Sequence, residues 1–88
     1  MLKIWHEDAW NDYLYWQKQD RKILKKINDL IRDIERNGAF SGSGKPEPLR
    51  GNLSGYFSRR IDSKNRIVYC VKGREIWIIQ CGSHYRDK

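Results

Sequence analysis

Proline is almost missing from this 88-residue chain: there are two, and both flank one glutamate. Cysteine is as scarce, with two residues, and acids are outnumbered, 11 Asp and Glu against 18 Lys and Arg. Cys70 and Cys81 sit in separate apolar runs with no close second ligand. That spacing argues against a disulfide framework or a short-spaced metal site, and buried free thiols in a reducing cytoplasm are expected. No metal or cofactor is expected. No apolar run approaches the roughly 20 residues that span a bilayer, so no membrane partner is expected. The opening MLKIWHEDAW carries charges where a signal peptide has its apolar stretch, so no signal peptide is expected. With no repeat, linker or low-complexity tract, residues 1–88 read as one domain. A domain this small buries a modest core, and self-association is a natural supplement.

The shortage of acid is local. Residues 1–40 hold eight Lys/Arg against seven Asp/Glu, whereas residues 41–88 hold ten against four. The second half is thus the electropositive half, suited to a polyanion such as nucleic acid or to an acidic protein. A homodimer would use the helical first half, because the basic halves repel each other.

Hydrophobic spacing outlines the elements. LKIW at residues 2–5 reads as a short strand. A helix runs from His6-Glu7-Asp8 to about residue 18, with Ala9, Trp10, Tyr13, Leu14 and Gln17 along one side. Asp20 suits the N-cap of a second helix, whose Ile23, Leu24, Ile27, Leu30, Ile31 and Ile34 form a 3.6-residue stripe ending at Asn37-Gly38. After a loop over residues 38–55 the period falls to about two. Residues 56–61, RIVYCV and EIWIIQC then read as three strands joined by turns. The fold class is α+β, in the order β-α-α-β-β-β: an antiparallel-dominated sheet with a helical hairpin on one face and the other face open. Alternation sends Ile67, Tyr69 and Val71 toward the helices and Arg66, Val68 and Cys70 to the open face. The four tryptophans are expected in the core or an interface.

The stretch GSGKPEPLRGNLSGYFSRR mounts Glu47 between Pro46 and Pro48, whose fixed φ stiffens an extended segment after a loose Gly-Ser-Gly hinge. RNA can be cut without a metal by attack of the ribose 2′-OH on the adjacent phosphorus. That chemistry takes a base, an acid for the 5′-oxygen, and positive charge on the phosphate oxygens. Glu47, His84 and Arg66 make a sufficient set, with Lys45, Arg50, Arg59 and Arg60 around them, and with Tyr56, Phe57 and Tyr85 able to stack on bases. Each also has a plain alternative. Glu47 can be the ion-pair partner of an arginine, Arg66 a solvated strand residue, His84 a surface residue, and Tyr85 a core cap.

The segments DRKILKKINDLIRDI, GKPEPL…NLSGYFSRRI, NRIVY and the closing HY resemble the YoeB toxins of bacterial toxin–antitoxin pairs, within the RelE/ParE superfamily. The likeness implies an endoribonuclease cutting messenger RNA in the A site of the 70S ribosome, neutralised by a YefM-type antitoxin and able to dimerise. It implies that Glu47 is the general base, Arg66 the transition-state arginine, His84 the general acid and Tyr85 its companion, with Lys45, Arg50 and Arg60 in support. Arg50 stands where relatives tend to have lysine, the loop before Glu47 is slightly longer, and Arg86-Asp87-Lys88 extends past the usual end. Two other expectations follow from the superfamily: a ParE-like inhibitor of gyrase that cuts nothing, and a corepressor binding operator DNA together with the antitoxin.

Overall fold

The computed structural model describes residues 1–83. Strand β1 (Leu2–Trp5) leads into helix α1 (Glu7–Gln19) and then helix α2 (Arg21–Asn37). Strand β2 (Glu47–Pro48) precedes a 3-10 turn at Gly51–Leu53. Strands β3 (Phe57–Arg60), β4 (Arg66–Lys72) and β5 (Glu75–Gly82) follow. The imidazole of His6 accepts the Asp8 N–H at 3.3 Å and so caps α1. Asp20 alone makes the turn between the helices: its N–H closes α1 on the Trp16 carbonyl, and its carboxylate accepts from Lys22 and Ile23 to start α2. Gly38, at φ 89°, ends α2 with a bond to the Ile34 carbonyl.

The sheet runs β1-β5-β4-β3-β2, with β1 parallel to β5 and the other neighbours antiparallel. The helical hairpin covers one face. Ile27, Leu30, Ile31 and Ile34 of α2 pack there with Ile67, Tyr69, Ile76 and Ile78, as the α2 stripe requires. Helix α1 is rolled from its expected orientation: Ala9 is buried and Trp16 half-buried, while Trp10 and Leu14 are exposed. The roll lets Trp16 bond to the backbone of β5.

Two further expectations change. Pro48 of the loop belongs to β2, a two-residue edge strand on β3, and Pro46 stands just before it. An edge is where proline fits, because one side of the strand needs no N–H. The face away from the helices is also less open than alternation suggested: Val68 and Cys70 are buried. Leu53 is buried in the connection between β2 and β3, and the hydroxyl of half-buried Tyr56 meets the Cys70 thiol. Both cysteines are buried and neither is in a disulfide, and burial pushes the Cys70 thiol up from its ordinary range, away from thiolate chemistry.

The Gly42-Ser43-Gly44 run is held, not loose. Arg59, wholly buried on the helix side of β3, spends all five N–H donors on it and its surroundings. Nε donates to the Tyr69 hydroxyl at 2.8 Å; Nη1 donates to Asp33 and the Ser43 carbonyl; Nη2 donates to the Gly38 and Ser41 carbonyls. Asp33 in turn accepts the Ser43 N–H at 2.9 Å. A Cβ at Gly42 (φ 117°) would collide with the Asp33 carboxylate, and one at Gly44 (φ 81°) would press on the Arg60 carbonyl at 3.0 Å. Glycine is required at both positions.

The Ser43 N–H, and then the Arg59 guanidinium, hold the Asp33 carboxyl below its ordinary 3.8 against the opposing effect of burial. Its stabilising contribution is therefore full above pH 3.8 and is lost as pH falls through the lowered folded value. Arg59→Leu, which strands Asp33 and three carbonyls, should cost about 3 kcal/mol or more in urea unfolding at pH 7. In Asp33→Asn the decline in stability on acidification should be shallower than in the wild type.

Candidate functional site

Pro46 and Pro48 favour extended backbone, and the chain enters them through Lys45, held at φ 54°. The result is a short rail that sets Glu47 opposite Ser58. Across the sheet Ser58 faces Val68, Arg60 faces Arg66, and Arg66 faces Gly82. Ser58, Arg60 and Arg66 thus share the face away from the helices, since Arg59 points the other way. The Arg66 guanidinium lies 3.5 Å from Glu47 Oε1 and donates to Ser58 Oγ at 3.1 Å. Its side chain is 24% exposed and that of Glu47 61%. One face of the site is therefore protein and the other solvent.

The fold brings Glu47 of β2 and Arg66 of β4 into contact across β3. Arg60 is exposed beside Arg66; Lys45 and Arg50, both exposed, flank Glu47 along the chain. Arg59 leaves the phosphate-binding set: it is buried with every donor occupied. Phe57 likewise packs among core residues, stacked 6.0 Å from Tyr69, and is no platform for a base. His84 and Tyr85 lie outside the described residues. The structure adds Ser58, fully buried, as the group that holds Arg66. The alternation of FSRR carries that signal, because it puts Ser58 on the face of Arg60 and Arg66. Among the described residues no group of three His, Cys, Asp or Glu side chains could hold a metal ion.

A carboxylate beside a half-sheltered guanidinium, ringed by further cations, can take a proton from a hydroxyl and stabilise charge on phosphate oxygens. Residues 5–85 match the YoeB-like toxins of bacterial type II toxin–antitoxin systems. The chain belongs to the YoeB toxin family. Toxin YoeB of Escherichia coli K12 is 53% identical over 85 residues, covering 97% of this chain and all of that protein. A YoeB–YefM complex from Staphylococcus aureus superposes with a TM-score of 0.91 at 46% identity, covering 97% of this chain and 99% of that one. A YoeB dimer from the same species superposes with a TM-score of 0.91 at 47% identity, covering 97% and 98%. The two helices and five-stranded mixed sheet are thus those of the YoeB fold.

The openness of the Glu47–Arg66 pair decides how much it contributes to stability. A solvent-exposed pair is worth about 1 kcal/mol at most. Glu47→Gln should therefore shift the unfolding free energy by less than about 1 kcal/mol. A loss of about 3 kcal/mol or more, the cost of breaking a buried pair, would make Glu47 a structural tie.

Proposed function

We propose that this YoeB-family toxin is a ribosome-dependent endoribonuclease that cuts messenger RNA in the A site and so stops translation in the cytoplasm. The observation that carries the proposal is the outward-facing pair of Glu47 and Arg66, 3.5 Å apart. Glu47 takes the proton of the ribose 2′-OH, which attacks the neighbouring phosphorus. Arg66, held by Ser58, stabilises the charge that grows on the phosphate oxygens. His84 protonates the departing 5′-oxygen, and Tyr85 stacks on the substrate. The products of that transfer are a 2′,3′-cyclic phosphate and a free 5′-hydroxyl. Lys45, Arg50 and Arg60 draw in the backbone through their charge.

The solved S. aureus relatives support a YefM-type antitoxin as partner and a homodimer. Charge on the second half of the chain favours an antitoxin segment that is acidic as well as apolar. The same basic surface suits operator DNA in the antitoxin-bound state.

The test is to incubate the protein with purified ribosomes and message and to map the cut ends. Cuts at the A-site codon are expected. Intact message together with inhibited gyrase would replace this proposal with the ParE-like activity. Arg66→Ala should slow single-turnover cleavage by roughly a hundredfold or more. His84→Ala should slow it by roughly a hundredfold to ten-thousandfold. Wild-type speed in Glu47→Gln would send the search for the base elsewhere.

A further inference from the structure

Among the described residues, strand β5 has strand neighbours on both sides only as far as Ile78. Strand β1 pairs with it from Leu2 opposite Glu75 to Trp5 opposite Ile78, and the chain then turns into α1. At the same point the register of β4 and β5 slips between Val68 and Tyr69, leaving Ile79 as an extra residue. A bulge bends and twists the strand that carries it. Among the described residues the end of β5 is therefore a bent strand end with no strand on one edge, and its backbone polar groups need other partners.

Helix α1 supplies them. Asp12 Oδ2 accepts the Cys81 N–H at 3.1 Å, and Trp16 Nε1 donates to the Cys81 carbonyl at 2.8 Å. The two side chains are one helical turn apart, so a single helix face grips both polar groups of one residue. The Asp12 carboxylate also lies directly over Gly82: a Cβ there would sit 3.4 Å from Asp12 Cγ. Gly82 is the cross-strand partner of Arg66, and Cys81 that of Ile67. Asp12 and Trp16 border a cavity of about 300 Å³ shared with Asn65, the residue before Arg66.

We propose that Asp12 and Trp16 are positioning residues for the active centre: they fix the end of β5 against Arg66 and so set the point from which His84 departs. The role presupposes the nuclease activity proposed above, in which His84 acts two residues beyond Gly82. Neither side chain touches substrate. Each acts through the strand end, where a displacement of about 1 Å is enough to cost catalysis up to about a hundredfold.

Two measurements test this together. In single-turnover cleavage on programmed ribosomes, Trp16→Phe and Asp12→Ala should each slow the reaction by roughly tenfold to a hundredfold, with unchanged half-saturating protein concentration. In a His84→Ala background the same substitutions should change the rate by less than about twofold, because groups that act as a unit are not additive. Equal losses in both backgrounds would overturn the proposal, since a general weakening of the fold does not depend on His84. The second measurement needs no activity. Amide hydrogen exchange at Cys81 and Gly82 should quicken at least about tenfold in Trp16→Phe while Ile67 to Val71 stay protected. Unchanged protection at Cys81 would overturn the brace itself. A wild-type protein that cuts nothing would remove the nuclease activity instead, leaving the exchange result to decide whether the brace exists.

Discussion

A guanidinium buried under a sheet is costly unless every donor is met, and Arg59 meets that condition with one carboxylate, one hydroxyl and three carbonyls. The partners come from α2, from β4 and from three points on the loop between Gly38 and Ser43. One side chain therefore joins a helix, the sheet and a loop that has no regular structure of its own. The loop's bends follow from the arrangement: Gly42 must clear the Asp33 carboxylate and Gly44 must pass the Arg60 carbonyl. The Arg60 N–H then bonds to the Gly44 carbonyl at 2.8 Å.

The site hangs from that clamp. Immediately after Gly44 the chain passes through Lys45 and Pro46 into β2, so Glu47 is presented by a rail whose near end is fixed beneath the sheet. Arg59 and Arg60 are neighbours with opposite tasks. Arg59 points inward and builds the platform, while Arg60 points outward beside Arg66. Two stretches of backbone thus frame one pair of side chains. The clamped loop carries Glu47, and the end of β5, gripped by α1, runs beside Arg66.

Much of this was legible in the residues. The α2 stripe, the Asp20 cap and the β4–β5 hairpin follow from periodicity and turn chemistry, and a family motif singled out Glu47 and Arg66 without saying that the two touch. Other features were hidden for physical reasons. A two-residue strand, Glu47–Pro48, has no periodicity to read, so β2 is indistinguishable from loop in the sequence. Two glycines and a serine read as a hinge because the residue that stiffens them lies 15 or more positions away in sequence. Arg59 looked like any basic residue near a nucleic-acid site, although Asp33 on the margin of an apolar stripe and Phe57 two positions before it were signs of its direction. The roll of α1 depended on backbone groups of β5 left uncovered by β1, which only the sheet order reveals.

The central claim is that the Arg59 fork, and not its charge alone, holds the loop that presents Glu47. Lysine keeps the charge but offers a single ammonium in place of a planar fork. Native-state amide exchange in Arg59→Lys tests this most directly, read at Ser43, whose N–H bonds to Asp33, and at Arg60, whose N–H bonds to Gly44. Both amides should open together and exchange at least about a hundredfold faster than in the wild type, while the β4–β5 ladder keeps its protection. Unchanged exchange at Ser43 and Arg60 would show that the loop holds its shape without the fork, and the account would fail.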